Sequence, residues 1–104
     1  MSWIYLLSAG ILEVVWAYAM KLSDGFTRPL PTLVMIVSMI GSFALLALAM
    51  RDLPLGTAYT IWTGIGAAGA FVLGAVMLGE VISPARVTAA LLIISGIVLM
   101  KVSS

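Results

Sequence analysis

Cysteine and histidine are both absent from this 104-residue chain, and charge is scarce. Without cysteine there is neither a disulfide framework nor a thiolate metal site. Without histidine the commonest metal ligand and general base is missing. Five basic and four acidic residues make up 9% of the chain, against about 25% in soluble domains. Net charge is near neutral at +1 and no basic run is present, which argues against nucleic acid as a partner. Small soluble domains have proportionally more surface to cover with polar groups, so a short chain that is 63% hydrophobic cannot stay dissolved. The bilayer is its solvent.

The apolar residues fall into four stretches at 3–20, 31–50, 54–79 and 84–100, parted by short charged or proline-bearing breaks. A helix needs roughly 20 apolar residues, rising ~1.5 Å each, to cross a hydrocarbon core of ~30 Å. Pro54 and Pro84 follow Asp52-Leu53 and Ser83, where a helix start tolerates a missing N–H and favours a polar cap. Backbone groups in lipid must pair internally, which uninterrupted helices achieve. The expected fold is therefore all-α and integral to the membrane. It is one domain over residues 1–104, a bundle of four transmembrane helices running up, down, up and down. No Lys or Arg precedes the first stretch and an acid lies within it, so it reads as a mature span rather than a cleaved signal peptide. Trp3 and Tyr5 stand at its head, where interfacial aromatics belong.

Topology follows from counting Lys and Arg on each face. One face carries both termini with Arg51 and Lys101; the other carries Lys21, Arg28 and Arg86. Two against three is almost no bias. Such a chain can insert in both orientations, and two copies can then pair about an axis in the membrane plane. A single topology fixed by other context fits the same count.

Glu13 is the one acid deep in a span, about ten residues in and hence ~15 Å down. Placing an acid there costs at least ~2.5 kcal/mol on insertion scales, and intramembrane acids are functional by default. With no second ionisable group at that depth, its partner is a proton, a cation, or the same residue on another copy. Gly10 shares its helix face and leaves room, and Trp16 stands beside it. Ser42 lies ~12 Å from the terminal face on the second span, and Tyr59 and Trp62 lie ~8 and ~12 Å deep on the third. Carboxylate, hydroxyls and aromatic faces at comparable depth suit an organic cation. Each also has a plainer use: Ser42 bonding its own helix backbone, Trp62 filling against lipid or a neighbouring helix. Gly64-Ile65-Gly66, with Gly69 and Gly74 beyond, provides either a hinge or a close-packing face. Ala89 and Gly96, seven apart on the fourth span, are compatible with a helix–helix seam.

Gly10-Ile11-Leu12-Glu13-Val14-Val15-Trp16-Ala17 and the run from Lys21 to Arg28 resemble the opening of the small multidrug resistance family. Leu53 to Gly66, with Tyr59, Trp62 and the Gly64/Gly66 pair, resembles that family's third helix. The resemblance covers essentially the whole chain, and Glu-Val-Val-Trp preceded by Gly10 is similar to the guanidinium-exporting subtype. It implies an antiparallel, dual-topology homodimer in the inner (plasma) membrane, in which two copies of Glu13 share one site. Protons and guanidinium or a related small guanidinyl cation would compete for that site during alternating access. It further implies that Ser42 and Trp16 order the carboxylates and that Tyr59 and Trp62 line the binding site. Gly64 and Gly66 would form a hinge. Thr60 and Tyr18 depart from the family's more usual alanine and smaller residue.

No cofactor or metal is expected, and one buried acid without a base or nucleophile makes no recognisable enzyme. Three rivals remain: an exporter of quaternary ammonium or aromatic cationic drugs, a passive cation channel lined by Glu13, and a small structural or regulatory subunit of another membrane protein.

Overall fold

The computed structural model describes residues 1–103 and contains four α-helices: α1 (Ser2–Leu22), α2 (Pro29–Ala49), α3 (Leu55–Met77) and α4 (Pro84–Val102). All four are long and apolar enough to cross a membrane. The expected stretches mark these helices, with shifts at the ends. α1 runs on through Lys21 and Leu22, because a lysine in the last turn meets the negative end of the helix dipole. α2 starts earlier, with Pro29 at its first position, where the missing N–H has no partner to lose. Pro54 lies outside α3 as its N-cap in an extended conformation. α3 ends at Met77, and Gly79 takes a positive φ of 67° just beyond it. At α4 the Ser83 hydroxyl caps the start by accepting the Arg86 N–H at 3.2 Å.

Three connections turn the chain. After α1 the Ser23 hydroxyl donates to the Met20 carbonyl at 2.7 Å, and Asp24, Gly25 and Phe26 all take positive φ. The α2–α3 turn is tied to the N-terminus, where the Ser2 hydroxyl donates to Asp52 Oδ2 at 2.6 Å. On that same face Lys101, at the end of α4, places its ammonium 4.7 Å from the centre of the Trp3 ring. Among the described residues, the Ser2–Asp52 hydrogen bond and the Lys101–Trp3 cation–π contact both tie the face that holds the termini. Trp3 has a specific partner beyond its interfacial placement.

α1 is the central helix. It packs along α2 and against α3, while α4 packs on α3. The buried core joins Leu6, Ala9, Leu46, Ala49, Ala58, Ile61 and Trp62 from the first three helices. α4 contributes no buried residue. The result is a slab with extents of 40 × 34 × 16 Å, not a closed bundle.

Glycine makes the α1–α3 approach possible. A Cβ on Gly10 would stand 2.6 Å from Ile65 Cγ2 and 2.8 Å from Ile65 Cβ, and one on Gly69 would overlap Val14. Small residues at such crossings let membrane helices use dispersion forces that lipid cannot match. Because Ile65 Cβ is fixed to the backbone, Gly10→Ala must push the helices apart. We expect it to cost about 1–3 kcal/mol as an overpacking change. It should lower the midpoint of thermal unfolding in detergent, whereas Gly56→Ala, which meets nothing within 4 Å, should leave it unchanged.

Candidate functional site

Glu13 projects from α1 onto α3 at Gly66, where a Cβ would overlap its carboxyl group. Only glycine leaves space for the side chain there. Glu13 Oε1 is buried and has no hydrogen-bond partner within the chain. Trp16, one turn further along the same helix, presents a buried indole Nε1–H that also lacks one. A buried acceptor and a buried donor three residues apart are thus both unsatisfied. Either group pairs with a ligand or a second chain, or its burial carries a cost of roughly 1–3 kcal/mol.

One helical turn shallower lies a completed network. The Ser42 hydroxyl donates to the Ala9 carbonyl at 2.7 Å and accepts the Trp62 indole N–H at 3.0 Å. Ala9 precedes Glu13 by four residues, and Trp62 precedes Gly66 by four, so the network and the carboxyl group form two layers separated by ~6 Å. Ser42 bonds neither its own backbone nor Glu13; it bridges α1, α2 and α3. A hydroxyl has one hydrogen to give. Ser42 gives it to Ala9, so it does not donate to the Glu13 carboxylate in this conformation. Trp16 makes no hydrogen bond to Glu13 either, since its N–H has no acceptor.

The aromatic residues form a continuous wall. Trp16 meets Phe43 edge-on with centroids 6.3 Å apart, Phe43 lies 5.6 Å from Trp62, and Trp62 lies 5.6 Å from Tyr59. Phe43 is the member the sequence reading passed over. Its adjacency to Ser42, and hence a similar depth on α2, was the available signal. Phe43 and Tyr59 remain about half exposed, so the wall opens on one side of the slab.

The glycines of α3 divide their work. Gly66 faces Glu13, while Gly64 faces α4, where a Cβ would stand 2.8 Å from Ile97 Cδ1. α3 is continuous through both positions. In this conformation they act as close-packing residues between two different neighbours, and no break marks a hinge. Gly10 touches Ile65 rather than the carboxyl group, so it holds α3 in place for Gly66 to receive Glu13. Among the described residues, no three of Asp, Glu, His and Cys come together as a metal site.

Four spanning helices carrying one embedded carboxyl group beside an aromatic wall make this a small multi-pass membrane protein. A family model described as Small Multidrug Resistance protein matches residues 1–94. The chain is 55% identical to a guanidinium exporter of Citrobacter freundii, over all of this chain and 99% of that one. The same identity and coverage hold for a guanidinium exporter of Salmonella typhimurium. For that of Escherichia coli K12 the identity is 52% over 104 residues. The chain belongs to the small multidrug resistance family.

Ser42→Ala removes both bonds of the three-helix network and leaves the buried Trp62 N–H and the Ala9 carbonyl without this partner. The expected loss is about 1–3 kcal/mol of stability. It should appear as a lower unfolding midpoint together with altered tryptophan fluorescence. A wild-type spectrum and midpoint would contradict the network.

Proposed function

We propose that the chain is a proton-coupled antiporter that exports guanidinium and related small guanidinyl cations. The observation that carries this reading is the Glu13 carboxyl group, packed against Gly66 with Oε1 buried and unpartnered, three residues from the unpaired Trp16 N–H. A carboxylate held in hydrocarbon needs a positive guest. Guanidinium is planar, and its parallel N–H groups match the two carboxylate oxygens. Its flat face also suits the wall formed by Trp16, Phe43, Trp62 and Tyr59. A proton answers the same need by neutralising the charge. Proton and cation therefore exclude one another at Glu13, and an inward proton gradient drives the cation out. The relatives named guanidinium exporters, at 52–55% identity over the full length, support this substrate.

The working unit is an antiparallel homodimer in which two copies of Glu13 share the site. The aromatic wall opens to one side of a slab 16 Å thick, so a single copy leaves a cation beside it uncovered. A second copy laid over that side supplies the missing enclosure and its own Glu13. The two carboxyl groups then titrate as a coupled pair. The near-balance of Lys and Arg between faces allows both orientations to insert. The unburied α4, bearing Ala89 and Gly96, is available for contact between copies. The glycines at 64 and 66 become hinges only as the dimer alternates, in one copy at a time.

Purified protein in liposomes should move guanidinium against a proton gradient, and Glu13→Gln should reduce that flux to the level of empty vesicles. Acidifying both compartments together should raise the apparent KM for guanidinium, because protons fill the carboxylates that the cation requires. A KM independent of pH would point to a channel. Faster transport of a bulky quaternary ammonium ion than of guanidinium would assign the site to the drug-exporting branch.

A further inference from the structure

We propose that Glu80 forms a second, superficial binding station for N–H-bearing organic cations, at the outer end of the α1–α3 groove in which Glu13 lies. This rests on the export reading above and adds to it a place where the cation waits.

The groove can be followed residue by residue. Glu13 lies against Gly66 and Val14 against Gly69. Beyond them is a cavity of about 180 Å³ between the two helices, whose lining includes Ala17, Tyr18, Lys21, Ala70, Gly74 and Glu80. From Gly66 to Gly74 is eight residues, or ~12 Å along the helix. The cavity therefore continues the groove outward from the deep carboxyl group by about two turns.

Three features place the Glu80 side chain there. Gly79 turns the chain with its φ of 67°. The Glu80 N–H then donates back to the Gly74 carbonyl at 3.0 Å, closing the end of α3. Gly74 has no Cβ, and one built there would overlap the Glu80 carboxylate. The loop acid is thus folded back over Gly74 on the last turns of α3 while remaining exposed. Lys21 lines the same cavity, yet the two form no ion pair with one another. The carboxylate keeps acceptor capacity for an arriving cation, and Lys21 limits how firmly that cation is held. Ala17 and Ala70 leave the floor of the cavity narrow and uncharged, and Val14 packed on Gly69 separates it from Glu13 in this conformation. In an antiparallel pair each membrane face would carry one such station.

A charged mouth raises the local concentration of the opposite ion and acts on capture, in a manner that salt screens. Guanidinium flux should be measured in liposomes at low and high ionic strength for wild type, Glu80→Gln and Gly74→Ala. The Gly74 change keeps the charge but puts a methyl group where the carboxylate sits, and the end of a glutamate side chain can move aside. At low salt, both variants should raise KM about two- to fivefold, in the range of exposed charge pairs, with maximal flux retained. At high salt the three proteins should converge. An unchanged KM in Glu80→Gln at low salt would overturn the station while leaving export intact. Loss of maximal flux in both variants at unaltered KM would also overturn it, marking Glu80 as a structural cap. Absence of guanidinium transport by the wild type would instead remove the reading on which the station rests.

Discussion

The arrangement of this protein depends on one unfavourable placement, a carboxyl group set inside hydrocarbon. Its insertion costs at least ~2.5 kcal/mol, and no group of its own chain answers it. The surroundings make that placement possible without relieving it. Gly66 removes the only Cβ that would collide with the side chain, while Gly10 and Gly69 let α3 come close enough for Gly66 to matter. A larger residue at Gly10 or Gly69 would separate α1 from α3, and one at Gly66 would displace the carboxyl group itself. The acid would then be left against lipid rather than in a shaped recess.

Around that recess the polar groups are sorted into satisfied and unsatisfied sets. Ser42, Ala9 and Trp62 close a network across three helices and so fix the depth and rotation of each. Glu13 Oε1 and Trp16 Nε1, about one and two turns further along α1 than Ala9, are left open. The rigid layer positions the reactive one. This separation matters for a transporter, because a carboxylate already bonded to serine and indole would have less affinity to offer a guest. In the proposed dimer the missing walls come from the second copy, and the open carboxyl group is left for the guest.

Much of this was legible in the sequence, because the bilayer narrows the possibilities. Four apolar stretches give four helices, and the prolines at 29, 54 and 84 sit at or next to helix starts for the reason their chemistry predicts. Glu13 was identifiable at once as the only acid at mid-depth. The common depth of Ser42 and Trp62 was also readable from helical rise, and they are indeed bonded to one another. Their distribution between network and site was not readable. Rise along an axis gives depth but not the rotation that sends Ser42 to Ala9 instead of Glu13. Phe43 escaped for a related reason: an aromatic residue in an apolar helix has no contrast until its neighbours Trp16 and Trp62 are seen. The glycines of α3 announced close packing or bending, and only the structure assigns Gly66 to Glu13 and Gly64 to Ile97. Likewise, spacing could not show that Glu80 folds back onto Gly74, which depends on a single left-handed glycine in the loop.

The central claim is that one embedded carboxyl group holds either H⁺ or a cation but not both. It is tested most directly by adding guanidinium to purified protein in weakly buffered detergent solution and recording the pH. The account predicts proton release that saturates with guanidinium and is absent in Glu13→Gln. Binding of guanidinium with no proton released, at any starting pH across the range where the carboxyl group titrates, would contradict it.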